Sequence, residues 1–329
     1  MSAAVDGADA MMKKVVKREW MALAGIAAGV FAAVWMNATK PEHDSIVVHT
    51  PSRADSIFPA LRPDDPTIGW GDENCGEARF EHAAFINASN LHSLSFAPFH
   101  RPERGWEAYA PLIATEIGTR CSPTSPGFAS ALASWQSKRG LNPTGQVDGA
   151  TFAFMKAVWQ DERPFVLTSR SGCPAPPNEA SLETSRPGEG YGGKVVQLVP
   201  GAFAAYRRMV RDARAQAPAI RADPRYFQIF SAYRSPSYDA ARCAAEHNCN
   251  GIVRATCSAH RTGRAMDIYM GSAPGYGPDS SADPNRLAMT HSPAYRWMVL
   301  NARNYGFVPY AFEPWHWEWI GDPSSSNQG

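Results

Sequence analysis

Ser258-Ala-His260-Arg-Thr-Gly263-Arg-Ala265-Met-Asp267 and Glu313-Pro-Trp315-His316-Trp317 are the two stretches from which the rest of this chain is read. They carry two histidines, one aspartate and one glutamate, the inventory of a catalytic zinc site: three protein ligands, an open position for water and a nearby base. His260 and Asp267 stand seven residues apart around Gly263, a spacing that suits a loop running into a strand. Residues 266–270 then alternate, so Asp267 points to the face opposite Ile268. His316 sits between two tryptophans in a strand-like segment and shares a face with Glu318. Pro314 excludes a helical Glu-x-x-His pair. Glu313 is therefore expected at the end of a loop, within reach of a water at the metal and outside the ligand set. No His-Glu-x-x-His occurs, which removes the common helical zinc-protease arrangement.

Working outward, residues 194–323 read as one unit. Residues 201–216 form an amphipathic helix with a basic outer face, and Tyr226 to Phe230 is apolar and strand-like. Ser235-Pro236 opens a helix through about residue 245, and Ser292-Pro293 opens another through about residue 304, each with serine as cap and proline in the first turn. Gly306 ends the second helix, and residues 307–310 form a strand. Strands and helices occur without regular βαβ alternation, so the expected class is α+β with a small antiparallel sheet.

Residues 75–165 read as a smaller helical unit. Phe128, Leu132 and Trp135 recur at helical spacing up to Gly140, and a Thr144-Gly145 turn leads to Asp148, a cap for a second helix. Over residues 127–158 the set Gln136, Gly140, Leu141, Thr144, Gly145, Val147, Asp148 and Thr151 resembles the peptidoglycan-binding-like repeat. Trp135 stands where that family has a different aromatic. The competing reading is a generic pair of helices. The Pro/Gly/Ser-rich residues 166–193 are a linker or an irregular wrap, 39–74 a tether and 324–329 a polar tail.

Trp20 to Met36 is an uninterrupted apolar run, about 26 Å long as a helix at about 1.5 Å per residue. Lys13, Lys14, Lys17 and Arg18 precede it, so a transmembrane anchor at 20–38 places residues 1–19 in the cytoplasm. The expectation is a single-pass inner-membrane protein with its folded part in the periplasm or another extracytoplasmic space. A cleaved signal peptide competes, although Met36-Asn37-Ala38 is a poor cleavage site. Six cysteines without a C-x-x-C pair read as disulfides in such a compartment, with Cys75–Cys121, Cys243–Cys249 and Cys173–Cys257 as the expected pairs. A formal net charge of +1 gives no electrostatic case for nucleic acid.

From about Ser231 to Trp317 the chain resembles the zinc D-alanyl-D-alanine carboxypeptidases and dipeptidases of the vancomycin-resistance type, whose catalytic fold is hedgehog-like. The resemblance rests on Ser258-x-His260-x6-Asp267, on Glu313-x-x-His316 with its flanking tryptophans, and on Ser231-Ala-Tyr233-Arg234-Ser235. It implies that His260, Asp267 and His316 bind one Zn²⁺ and that Glu313 is general base, then general acid. It also implies that Arg234 stands by the scissile carbonyl, and that Ser258, Tyr233 and Trp315 meet substrate. For Arg234 a structural salt bridge competes, and for the tryptophans core packing does. The activity implied is removal of terminal D-Ala from peptidoglycan stem peptides. An endopeptidase cutting cross-links and a non-catalytic wall-binding protein are the alternatives. No Ser-x-x-Lys element supports a serine mechanism.

Overall fold

The computed structural model describes residues 75–76, 78–245, 247 and 257–321. The expected anchor at 20–38, with residues 1–19, 39–74 and the tail, lies outside them. Among the described residues no helix is long and apolar enough to cross a membrane.

The helical segment consists of α1 (Glu81–Leu91), a short hairpin of β1 (Ser95–Phe96) and β2 (Glu103–Arg104), α2 (Ala110–Ile117), α3 (Pro126–Lys138), α4 (Gly149–Asp161) and α5 (Pro164–Ser169). Ser125 and Asp148 cap α3 and α4, their side chains accepting from Phe128 N at 3.3 Å and Thr151 N at 2.7 Å. These caps supply acceptors that the first turn of a helix lacks. Gln136 explains the motif between the two helices. Its amide donates to Thr144 Oγ1, Gln146 O and Thr151 Oγ1, and its oxygen accepts from Gly145 N at 2.8 Å. Gly145 has φ +71, and a Cβ there would meet Ala129 O at 2.6 Å, so both its conformation and the close approach require glycine. Trp106, Phe128, Phe152 and Trp159 fill the core below this turn.

The second segment begins with a hairpin of β3 (Glu183–Thr184) and β4 (Gln197–Leu198), followed by α6 (Pro200–Gln216), α7 (Pro218–Ala222), β5 (Ile229–Ser231) and α8 (Pro236–Ala245). After the second described stretch begins at residue 257 come β6 (Ala265–Ile268), α9 (Asp283–Thr290), α10 (Pro293–Asn301), β7 (Phe307–Tyr310) and β8 (Glu313–Trp319). The four-stranded sheet runs β5-β6-β8-β7, with every neighbouring pair antiparallel. The α+β class and the small antiparallel sheet are thus as read from the sequence. Its apolar face rests on Phe203, Tyr206 and Met209 of α6 and on Trp297 and Met298 of α10.

Three local expectations shift. The strand foreseen from Tyr226 begins only at Ile229. Phe227 takes φ +69 with its side chain fully buried, so residues 224–227 form a turn. The backbone still pairs there, with Phe227 N donating to Tyr269 O at 3.0 Å. The helix foreseen to residue 304 leaves the α form after Asn301 and tightens to a 3-10 turn over Ala302–Tyr305 before Gly306. Residues 166–193 wrap the second segment through the β3–β4 pairing, and Arg207 of α6 holds both Glu183 and Glu189. Disulfides join Cys75 to Cys121 and Cys173 to Cys257, as expected. Cys243 is also disulfide-bonded, and its expected partner Cys249 lies outside the described residues.

The two segments meet through a buried polar network, a ring contact and an exposed ion pair. Arg286 of α9 donates to Glu103 Oε2 at 2.8 Å, to Tyr109 Oη at 2.6 Å and to Phe312 O at 2.8 Å. Phe99 packs edge-on against Tyr310, and Arg303 pairs with Glu162 at 2.6 Å. At the start of α5, Phe165 N donates to Glu318 of β8 at 3.0 Å.

Candidate metal centre

Asp267 and His316 lie directly opposite one another on β6 and β8, and Ala265 faces Glu318 two residues along. Period-two alternation therefore places Asp267, His316 and Glu318 on one face and sends Trp315 and Trp317 into the apolar core on the other. His260 arrives from a 3-10 turn, Ala259–Thr262, closed by Gly263 in the left-handed region. One ligand atom from each of His260, Asp267 and His316 lies within 4.8 Å of the others, and all three residues are buried.

Each side chain is aimed. His260 Nδ1 is 2.7 Å from the carbonyl oxygen of Ala232. That oxygen only accepts, so Nδ1 carries the hydrogen and Nε2 keeps its lone pair. His260 Nε2 lies 3.2 Å from Asp267 Oδ2, and His316 Nδ1 lies 2.8 Å from Asp267 Oδ1. Two imidazole nitrogens converging on one carboxylate form an N,N,O donor set that fits zinc. On its other side, His316 Nε2 faces Glu318 Oε1 at 3.5 Å, an ion-pair separation with no shorter hydrogen bond.

Burial sets the electrostatics. It pushes His260 below the usual imidazole value, with Asp267 opposing. It would raise Asp267, but His260 and His316 together hold that carboxyl well below the usual range. Burial also disfavours charge on His316, yet its contacts with Asp267 and Glu318 push it up to about 9. Glu313 at the start of β8 is raised, first by burial and then by Asp267, while His316, Arg163 and Arg234 pull it down. A carboxyl with a raised pKa outside the donor set is suited to moving protons.

Arg234 follows β5. Its Nε is 2.9 Å from Asp239 Oδ1, and its Nη1 donates to Ser231 Oγ at 3.2 Å. Ser258 Oγ donates to Asp239 Oδ2 at 2.6 Å. The buried Asp239 of α8 thus organises both residues. Tyr233 Oη donates to Glu179 at 2.9 Å. Trp315 is packed in the core. Three residues of this neighbourhood were not singled out from the sequence: Asp239, Glu318 and Arg163. Glu318 was visible only as sharing a strand face with His316, and the other two carry no local signal.

Residues 196–322 match the family model VanY, D-alanyl-D-alanine carboxypeptidase. This part of the chain is similar to that family, and all eight site residues named from the sequence fall inside the match. The helical segment lies outside it, and Arg163 with it. No curated protein matches the chain.

Proposed function

We propose that this protein is a zinc-dependent D-alanyl-D-alanine carboxypeptidase that trims peptidoglycan stem peptides. The observation that carries the reading is the buried convergence of His260, Asp267 and His316, with the raised carboxyl of Glu313 outside that set.

His260, Asp267 and His316 would hold the metal. Bound there, a divalent cation would supply Lewis acidity toward the peptide carbonyl and lower the pKa of a water. Glu313 accepts the proton of the attacking water and returns it to the departing amine of D-Ala. Arg234, fixed by Asp239, presents its guanidinium to the carbonyl oxygen where negative charge grows. Ser258 offers its hydroxyl to the substrate backbone, and Tyr233 borders the same approach. Trp315 supports β8 from the core side.

The compartment follows from chemistry. Disulfides at Cys75–Cys121 and Cys173–Cys257 belong to an oxidising space, where stem peptides are found, and an N-terminal anchor at 20–38 would hold the enzyme there. The helical segment is proposed to be a peptidoglycan-binding-like unit on the strength of its Gln136-centred turn.

Defined muropeptides separate the possible bonds. The expected result is loss of one D-Ala from a monomeric pentapeptide, read by mass spectrometry, with cross-linked dimers left intact. Splitting of dimers into monomers would show an endopeptidase instead, and no cleavage of any muropeptide would make the protein a wall-binding module.

A further inference from the structure

One histidine ligand of the proposed centre is oriented from within the sheet segment, and the other histidine is not. His260 is set by the backbone carbonyl of Ala232, a short step along β5. His316 faces Glu318, and among the described residues the donors to Glu318 come from the helical segment. Arg163 Nε donates to Glu318 Oε1 at 2.7 Å, and its Nη2 is 2.6 Å from the same oxygen. Phe165 N donates to Oε2 at 3.0 Å. Arg163 is itself fixed: Nη1 donates to Gln160 Oε1 at 2.8 Å, and the guanidinium lies 4.1 Å from the centre of the Tyr310 ring. Arg163 and Glu318 are both buried, at 6% and 2% exposure, so solvent screens this chain of contacts little.

We propose that Arg163, acting through Glu318, is a positioning residue for His316, so that the helical segment completes the metal centre of the sheet segment. This rests on the metal reading above. An imidazole ligand has two nitrogens, and the one that is not bound must keep its hydrogen. A carboxylate held on the Nε2 side of His316 selects the Nε2–H form and turns the Nδ1 lone pair toward Asp267 and the metal position. The carboxylate can do this only if it stays in place. Arg163 holds it there: the guanidinium grips Oε1 through Nε and Nη2 while Phe165 N holds Oε2. Take away the guanidinium, and Glu318 keeps one backbone donor from the helical segment. It is then free to turn, and His316 loses the carboxylate that faces its Nε2.

A simple brace between segments predicts something else. It would lower the stability of the protein without touching metal affinity. The test is carried out on the full chain, with Zn²⁺ competed against a chromophoric chelator and Co²⁺ as a spectroscopic substitute. Arg163→Ala is expected to weaken zinc binding about 10–100-fold and to alter the Co²⁺ absorption bands, as loss of an outer partner of a metal histidine does. Glu318→Gln is expected to do the same, and Arg163→Lys to recover part of the affinity. Arg303→Ala, which cuts another contact between the same segments at Glu162, is the control and is expected to bind zinc as wild type does. A lowered Tm of the metal-free protein with unchanged zinc affinity and Co²⁺ bands in Arg163→Ala overturns the proposal. Should that variant not fold, Arg163→Lys and Glu318→Gln are judged by the same criterion. Wild-type protein that takes up no zinc would overturn the metal reading itself, and this inference with it.

Discussion

Replacing Glu313 with glutamine is expected to lower release of D-Ala by about 10²–10⁴-fold, the usual contribution of a general acid–base residue, while zinc binds as it does to wild type. Glutamine keeps the shape of the side chain and cannot accept the proton of water. Glu313 is outside the converging donor set, so the ligands are untouched. The raised pKa adds a second readout. Burial, reinforced by Asp267, disfavours the ionised form. Below its pKa the carboxyl holds a proton and cannot act as base, so kcat/KM falls as pH drops through that value. The acid limb of the wild-type profile is therefore expected above the usual carboxylate range, and the residual activity of the glutamine variant is expected to lack it. A variant that binds zinc and hydrolyses at the wild-type rate would remove Glu313 from the mechanism.

The second large effect is on stability. Arg286→Met is expected to destabilise the protein by about 3–5 kcal/mol, read from the denaturant midpoint, because it leaves a buried carboxylate unpaired. Arg286 is 2% exposed and satisfies Glu103, Tyr109 and the Phe312 carbonyl at once, with its guanidinium 4.3 Å from the Phe312 ring centre. Burial pushes the Tyr109 hydroxyl far above its usual value, so it stays neutral and can still donate to Glu103, but it brings no positive charge to replace the guanidinium. Combining Arg286→Met with Glu103→Gln removes the stranded charge and is expected to restore part of the stability. A shift below about 1 kcal/mol for the single variant would place the network among contacts that contribute little, as exposed pairs do.

The legible part of the site was what a strand or a short loop makes local. The alternation of residues 313–318 put His316 and Glu318 on one face, and Gly263 marked the turn between His260 and the strand bearing Asp267. Register then set Asp267 opposite His316, which no spacing within either stretch dictates. Aspartate and serine caps made α4 and α10 readable, since a cap is a contact with the next three residues, while α3 was read from its apolar spacing. The strand expected from Tyr226 was misplaced because Phe227 adopts a conformation that β-branched and aromatic propensity does not reveal. Arg163 was invisible for a different reason. It contacts Glu318 across 155 residues, and nothing in Glu162-Arg163-Pro164 distinguishes it from a solvated charge. The polar groups that tie the helical segment to the second one, Glu103, Arg163 and Arg286, are of this long-range kind, so the sequence showed two units and not the contacts that join them.

The most direct measurement pairs metal content with activity in a single sample. Protein stripped with a chelator is titrated with Zn²⁺, and D-Ala released from a stem pentapeptide ending in D-Ala-D-Ala is followed at each step. Release is expected to be absent from the stripped protein, to rise in proportion to bound zinc and to level off at a single ion per chain. D-Ala release that continues undiminished in metal-free protein would contradict the assignment of His260, Asp267 and His316 as the catalytic metal centre.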